Sequence, residues 1–322
     1  MAAVAPHPRT AELVRARLEQ GKLDVAGTLF RWLLVGTLAL SVGVLAVLLI
    51  DVVTGGWGVL SSRLVDFLTS ADRTSAEEAG VFQGLRGTFW IGVFTVVLAF
   101  PVGIGAAIYL EEYAPRSRFT RIIDINIRNL AGVPSVVYGI LGLAIFVKTL
   151  ASLPDWLGGG PLTGGRTVMS GGIIIAILVL PIVIITSAEA IRAVPDSIRE
   201  AGFGVGATRW EVVRSHVLPY ALPGILTGTV LALARALGEA APLILVGAVQ
   251  GRLGGGPGSL VDLGQLQERF TAMPIMITNW SGEFAEGFQD ELAPAAIVVL
   301  LVFVFLANGT AILLRNRYAK RR

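Results

Sequence analysis

Long apolar segments separated by short polar stretches dominate the hydrophobic pattern of this 322-residue chain. Each is apolar for about 20 residues, the length that an α-helix needs to cross a hydrocarbon core about 30 Å thick. The pattern therefore predicts an all-α integral membrane protein with six transmembrane helices. The predicted spans lie near 31–53, 87–110, 130–150, 170–190, 220–248 and 293–314.

The composition supports the membrane class. Of all residues, 54% are hydrophobic and 15% are charged, whereas a soluble domain has about 25% charged residues. The chain has no cysteine and only two histidines, His7 and His216. These counts exclude a disulfide framework and a metal centre built on cysteine or histidine. We expect no metal and no cofactor.

The basic residues are distributed unevenly between the connections. Eighteen of the 26 lysines and arginines lie in the two tails and in the 2–3 and 4–5 connections, and seven lie in the other three connections. Because lysine and arginine accumulate on the cytoplasmic side of membrane proteins, both termini are predicted to be cytoplasmic. The final run RNRYAKRR then fits an anchor at anionic lipid better than a nucleic-acid-binding patch. We expect no nucleic-acid partner.

The same pattern divides the chain into four parts. Residues 1–30 form a cytoplasmic tail, and 315–322 form a basic cytoplasmic tail. Residues 31–53 form a first membrane anchor, because the segment is too long for the apolar region of a signal peptide and no cleavage pattern follows it. Residues 85–314 form one membrane domain, so the protein is predicted to be a multi-pass component of the inner (cytoplasmic) membrane.

A charged segment, 195–219, separates two of the most apolar spans on the cytoplasmic side. Ser197 with Glu200, and Thr208 with Glu211, each have the spacing of a helix-capping box. Three glycines between them permit the positive φ angles of a tight turn, and Pro219 is expected to end the second helix before span five begins. We predict a hairpin of two short helices.

Three interpretations of this hairpin are open. A solvated connector needs neither two capping boxes nor exposed apolar residues. A DNA-binding helix-turn-helix does not fit, because both ends lie within a few residues of the bilayer. Exposed apolar side chains on a rigid hairpin favour insertion into a groove of a partner protein. The residues expected at its surface are Val205, Trp210, Val212 and Val213.

The hairpin resembles the coupling loop of ABC importer permeases, where Glu-Ala-Ala, Gly and Ile-x-Leu-Pro follow one another at the spacing found here. The chain departs from that pattern at Gly202, in place of the third alanine, and at His216, in place of the isoleucine. In that family the first helix of the loop inserts into a cleft of a cytoplasmic ATPase subunit and transmits its closure. The resemblance assigns ATPase coupling to Glu200, Ala201, Gly202, Gly206, Leu218 and Pro219.

A charged pair lies deep in span five. Arg235 and Glu239 are four residues apart and share a helix face, and Arg235 lies about 22 Å from Tyr220 at the cytoplasmic edge. Charges at this depth are costly unless they are paired or hydrated. Gly238 and Pro242 predict a break in the helix beside them. The pair is either a salt bridge that fixes packing or a polar point on the route of an anion, because guanidinium suits phosphate-like oxyanions.

The start of span three, LAGVPSVVYG, has glycine and proline residues that bend or break a helix. The backbone groups freed by such a bend must face protein or water, and Ser135 and Tyr138 can form hydrogen bonds there. The stretch is either a packing kink or part of a transport pathway together with Arg235 and Glu239.

The span-five sequence LARALGEAAPL sharpens the resemblance. With IYLEEYAPRSR, LAGVPSVVYGILGL and LPIVIITSAEAIRAVPDSIREA it is similar to the permease of the phosphate-specific ABC importer, over about 85–314. The Ala-Pro-Leu ending favours the PstA type over the PstC type. The resemblance implies the type I ABC importer permease fold. It also implies four partners for this chain: a second permease (PstC type), an ATPase dimer (PstB type), an external phosphate-binding protein (PstS type) and membrane lipid.

We therefore expect a permease subunit that forms half of the pathway of an ATP-driven phosphate importer. It is not expected to be an enzyme, because the sequence has no G-x-x-x-x-G-K-[ST] phosphate loop. An importer for another oxyanion, such as sulfate or molybdate, stays open. An ATP-independent secondary transporter or channel predicts internal repeats, which the sequence lacks, and a membrane enzyme lacks an acid–base or metal constellation within the spans.

Overall fold

The fold is known from a computed structural model, which describes residues 25–152, 164–249, 259–261, 264, 266 and 268–319. Most of the predicted N-terminal tail, 1–30, and the end of the predicted basic tail, 315–322, lie outside the described residues. The described part of the chain is helical and contains no β-strand. It divides into two units, one up to Asp51 and one from Val52 onward.

Eleven helices follow one another in the described residues. Five are long and apolar enough to cross a membrane, and the number rises to six if one bent pair of helices is counted as a single span. The predicted all-helical membrane fold is confirmed, and the predicted six spans are the upper end of this range. In chain order the helices are α1 (Val25–Ser62), α2 (Leu64–Thr69), α3 (Phe82–Tyr113), α4 (Arg118–Ala131), α5 (Ser135–Val147), α6 (Val168–Arg192), α7 (Asp196–Gly204), α8 (Arg209–Gly238), α9 (Ala241–Leu245), α10 (Met273–Trp280) and α11 (Ala293–Ala319).

The third span was predicted at 130–150, and its predicted start is too early. Residues up to Ala131 belong to α4, and α5 leaves α4 at a bend of 102°. Gly132 and Pro134 occupy the break, and Pro134 stands at the N-cap of α5, where proline's fixed φ and missing N–H are tolerated. Helix α5 continues into a short helix, Lys148–Ala151.

Helix α6 lies at the centre of the second unit. In the most apolar stretch of α6, 67% of the residues are buried, whereas the corresponding share in the last span is 11%. Small residues let its neighbours approach: a Cβ on Gly103 of α3 would lie 2.6 Å from the Val183 side chain, and one on Gly228 of α8 would lie 2.2 Å from the hydroxyl of Thr186. Close backbone approach through small residues is typical of helix packing in membranes.

A second apolar cluster lies at the opposite end of this unit from the hairpin. Trp280, at the end of α10, is fully buried between Phe67 and Phe288. Its indole N–H donates to Asp72, so a buried polar group is satisfied. The guanidinium of Arg63 donates to three carbonyls of the following connection. The connection between α2 and α3 is thereby folded back on α10.

Candidate functional site

The predicted break in span five is present. Helix α8 ends at Gly238, Glu239 has extended backbone with φ −80° and ψ 124°, and α9 begins at Ala241. In an unbroken helix Pro242 would have to donate to the carbonyl of Gly238, which it cannot do because it has no N–H. The helix therefore ends at the residue whose hydrogen bond proline removes.

Arg235 and Glu239 form an ion pair across this break. The Arg235 Nε atom lies 3.2 Å from Glu239 Oε1, and the two side chains are 42% and 18% exposed. Arg235 belongs to a line of exposed positions along α8 that includes Thr227, Leu231 and Gly238, which are three or four residues apart and share one face. A charge exposed at membrane depth needs water or another protein beside it, so this face is suited to a water-filled path or a protein interface.

Tyr138 and Ser135 lie at the bend between α4 and α5. The Tyr138 hydroxyl donates to the carbonyl of Leu130 at 2.9 Å, and its side chain is buried. The bond joins the end of α4 to the first turns of α5 and so holds the bend. Ser135 is the first residue of α5 and is half-buried.

The fold brings the start of span three to the break in span five. A Cβ on Gly139 would lie 2.8 Å from the Cα of Pro242 and 2.7 Å from the Leu245 side chain. Helix α5 thus packs directly on α9, the helix that follows Glu239. The two polar stretches that the sequence singled out separately are neighbours.

The hairpin at 195–219 has one capping box instead of two. Thr208 caps α8, with its side chain accepting from the N–H of Glu211 and the Glu211 side chain accepting from the N–H of Thr208. The box at Ser197 was predicted wrongly, because α7 begins at Asp196 after Pro195 and Ser197 is already inside it. Proline at this position supplies the fixed φ of a helix start without a side-chain cap.

The second helix of the hairpin is not separate from span five. Helix α8 runs from Arg209 to Gly238 through a π-helical turn at Val213–Val217. Pro219 was predicted to end it, but it stands at the first turn after this π-helical turn, where a locally widened helix accommodates the missing N–H. One continuous helix therefore joins the hairpin to Arg235.

The turn of the hairpin is formed by glycine. Gly206 has a φ of +82°, a conformation that side chains with a Cβ rarely adopt. Gly202 is buried, and a Cβ there would lie 2.7 Å from the Val212 side chain. The departure of Gly202 from the Glu-Ala-Ala pattern has a structural reason, since the missing methyl group lets α7 lie against α8.

The exposed tip of the hairpin is apolar. Val205 is 85% exposed, and Phe203 and Trp210 are about half exposed. Val212 and Val213, which were predicted to be exposed, are buried. They face inward because they anchor the hairpin: Val212 belongs to an apolar cluster with Ala107, Ala188, Ile191, Val194, Val217, Ala221 and Ile225.

The residues assigned to ATPase coupling divide by exposure. Glu200, Ala201 and Gly206 are exposed on the outer side of the hairpin. Leu218 and Pro219 are half-buried within α8. The first group is accessible to a partner, whereas the second belongs to the helix that leads into the membrane.

Arg199 fastens the hairpin to the membrane domain, and the sequence did not reveal this. Its guanidinium donates to Glu112 Oε1 at 2.8 and 3.1 Å, to the carbonyls of Ile191 and Val194, and to Asp196. Glu112 lies in the last turn of α3, and its side chain is 8% exposed. Next to this pair, Arg192 of α6 binds Glu111. The only sequence signal was the acidic pair of LEEY immediately after an apolar span.

The described residues contain no group of three histidine, cysteine or acidic side chains that could hold a metal ion. The arrangement instead contains a broken helix with a half-exposed ion pair, a bent helix packed against it, and a rigid hairpin on the helix that bears the arginine. Among the described residues, the guanidinium of Arg235 is the positive group at this break.

The chain is similar to known transport proteins over most of its length. The family described as "Binding-protein-dependent transport system inner membrane component" matches residues 99–320. Phosphate transport system permease protein PstC 2 of Mycobacterium tuberculosis is 32% identical over 286 residues, 83% of this chain and 86% of that protein. Phosphate transport system permease protein PstC of Xylella fastidiosa strain 9a5c is 30% identical over 89% of this chain and 90% of that protein.

Solved structures show the same fold. A bacterial alginate ABC transporter in complex with its alginate-bound periplasmic protein matches with a TM-score of 0.59 and 16% identity, over 92% of this chain and 97% of that chain. The MetNI methionine ABC transporter in an inward-facing conformation matches with a TM-score of 0.51 and 17% identity, over 74% and 94%. The predicted type I ABC importer permease fold is confirmed.

The comparisons correct one prediction. The relatives are named PstC, so the assignment to the PstA type was wrong. Its basis, Ala241-Pro242-Leu243, forms the first turn of α9, and any broken span can use a proline there. The ending therefore does not separate the two types. The chain belongs to the family of binding-protein-dependent transport system inner membrane components and is a multi-pass permease subunit of the cell inner membrane.

Proposed function

We propose that this permease serves an ATP-driven phosphate importer and forms half of its translocation pathway. The relatives' names support phosphate as the substrate. The observation that carries the proposal is the half-exposed Arg235–Glu239 pair at the break of α8. A guanidinium offers paired donors to an oxyanion, and the carboxylate beside it weakens the binding enough for release.

We place Ser135 and Tyr138 beside this point on the pathway. Helix α5 packs on α9 through Gly139, so the first turn of span three borders the break. Tyr138 positions the bend through its bond to Leu130, and Ser135 supplies a hydroxyl at the first turn. Tyr138 is thus a positioning residue, and Arg235 is the residue that meets the anion.

The hairpin is the part that we assign to ATPase coupling. Its apolar tip at Phe203, Val205 and Trp210 is exposed, as a surface that inserts into a partner's groove must be. Glu200 lies on the exposed side of α7. Closure of paired cytoplasmic ATPase subunits would move this tip, and the continuous helix α8 would move Arg235 with it.

The remaining partners follow from the family. A binding-protein-dependent system supplies substrate through an external binding protein, here one for phosphate. A second permease completes the pathway along the exposed face of α8. Because both relatives described above are themselves named PstC, we do not assign that type to the second permease.

Uptake of radiolabelled phosphate into vesicles that contain the assembled complex tests the pathway. Arg235→Gln is expected to lower uptake at least about tenfold, since a hydrogen bond to a charged group contributes about 1.5–3 kcal/mol. Arg31→Gln changes an exposed arginine of α1, outside both the hairpin and the helix break, and is the control that should leave uptake unchanged. Normal uptake by an assembled Arg235→Gln complex would refute the pathway role. Equal competition by sulfate or molybdate would refute phosphate specificity.

The same vesicles test the hairpin. Glu200→Ala combined with Gly206→Leu removes an exposed charge and forces a side chain into the left-handed conformation at φ +82°. We expect the ATPase to dissociate during purification, or its hydrolysis to become independent of substrate. Unchanged co-purification together with unchanged coupled hydrolysis would show that the hairpin is only a connector.

A further inference from the structure

A large cavity opens beside the hairpin, at the end of the fold where the connections predicted to be cytoplasmic meet. Its volume is about 1110 Å³. The end of α3, the turn at 114–117 and the first turns of α4 form one wall, and Arg192, α7 and Arg209 form the other. We call it the cytoplasmic basin.

Arginines outnumber carboxylates around the basin. Six arginines and four carboxylates line it. All four carboxylates are already engaged: Glu111 by Arg192, Glu112 and Asp196 by Arg199, and Asp124 by Arg128. The positive charge of the basin therefore comes from the lining arginines that are not paired with a carboxylate.

Three arginines are left for a ligand. In the described part of the chain, Arg116, Arg118 and Arg121 form no ion pair, and all three are exposed. Of the six arginines around the basin, Arg192 and Arg199 are paired with carboxylates, and Arg209 lies over the ring of Tyr113. The N-terminus of the fourteen-residue helix α4, capped by Ser117, opens into the same space and adds the positive end of a helix dipole. The site is built for an anion.

Helix α4 indicates which anion. The 102° bend between α4 and α5 makes the two helices nearly perpendicular. Phe119 and Ile122, one helical turn apart, are exposed next to the arginines. Helix α4 is tied to α6 through Arg128, which lies 3.6 Å from Glu189 of α6 and 3.2 Å from Asp124 of its own helix. An interfacial amphipathic helix of this kind buries its apolar side among acyl chains.

We propose that the cytoplasmic basin binds the phosphate headgroup of an anionic lipid of the cytoplasmic leaflet. Arg116, Arg118 and Arg121 contact the headgroup, and its acyl chains lie along Phe119 and Ile122. The lipid is thereby placed against α7, because Arg199 and Phe203 line the same cavity. The site does not depend on the identity of the transported substrate.

The test uses the assembled complex in nanodiscs of phosphatidylcholine mixed with phosphatidylglycerol, followed by native mass spectrometry of the retained lipids. The wild-type complex is expected to retain phosphatidylglycerol preferentially. Each arginine changed to glutamine should lower this preference about fivefold, which corresponds to about 1 kcal/mol for a basic residue near an anionic surface. Arg214→Gln, an exposed arginine outside the basin, should leave the preference unchanged.

Two results would overturn the proposal. The first is an unchanged lipid preference in the assembled triple variant Arg116→Gln, Arg118→Gln, Arg121→Gln. The second is displacement of phosphatidylglycerol by inorganic phosphate at moderate salt, which would assign the basin to a soluble ligand. Because retained lipid is counted directly, the result is separate from phosphate uptake, and loss of uptake alone does not bear on it.

Discussion

The attachment of the hairpin through Arg199 leads to the sharpest prediction. Glu112 receives two hydrogen bonds from the Arg199 guanidinium, at 2.8 and 3.1 Å, and both side chains are largely buried. Removing one partner of a buried ion pair costs about 3–5 kcal/mol. In Glu112→Gln the guanidinium keeps its bonds to the carbonyls of Ile191 and Val194, so we expect a smaller loss of about 1.5–3 kcal/mol, the contribution of hydrogen bonds to a charged group.

This loss should appear as local opening of the hairpin. Amide hydrogen exchange of the complex, followed by mass spectrometry, should show peptides of α7 exchanging roughly 10- to 150-fold faster in Glu112→Gln, since about 1.4 kcal/mol corresponds to a factor of ten. Peptides of the α6 centre should be unchanged. With the attachment loosened, hydrolysis by the ATPase subunits should continue while transport per ATP falls.

Asp196→Asn is the matched control. Asp196 also binds Arg199, at 3.1 Å, but its side chain is 89% exposed, and exposed pairs contribute at most about 1 kcal/mol. Exchange in α7 should therefore change by less than about fivefold. If both variants have the same small effect, the buried bond to Glu112 does not hold the hairpin and the reasoning from burial is wrong.

Two further predictions concern local packing. Gly202→Ala should destabilise the hairpin by about 1–3 kcal/mol, since the added Cβ would lie 2.7 Å from the Val212 side chain. The control Gly204→Ala places a Cβ where no atom lies within 4 Å, so it should be tolerated. Equal melting temperatures of the two variant complexes would contradict the close contact at Gly202. Tyr138→Phe removes the hydrogen bond to Leu130 and should lower the free energy of unfolding by about 1 kcal/mol. The apparent KM for phosphate should change little. A large change in KM would show instead that the hydroxyl contacts the substrate.

Local features of the fold were predictable because they depend on neighbouring residues. The helix break follows from Pro242 alone, and the turn of the hairpin follows from Gly206 and the capping box that begins at Thr208. The capping box predicted at Ser197 failed for an equally local reason. Both Pro195 and Ser197 can start a helix, and spacing does not decide between them. The proline, which comes first, stands at the cap.

The functional site was only partly predictable. Arg235 and Glu239 were found because charges are rare at membrane depth. Their proximity to Tyr138 depends on the packing of Gly139 against Pro242. That contact joins segments about a hundred residues apart, and neither segment's own sequence specifies it.

The sequence by itself determined the membrane class, the all-helical architecture and the position of the hairpin. These properties follow from hydropathy, charge counts and helix-breaking residues, which act within a few turns of one helix. Only the tertiary structure decided that α4 turns away by 102°, that α6 is central, and that Arg199 reaches Glu112 across 87 positions. Such pairings are decided by which helix surfaces fit together, and that fit is a property of the whole packed domain.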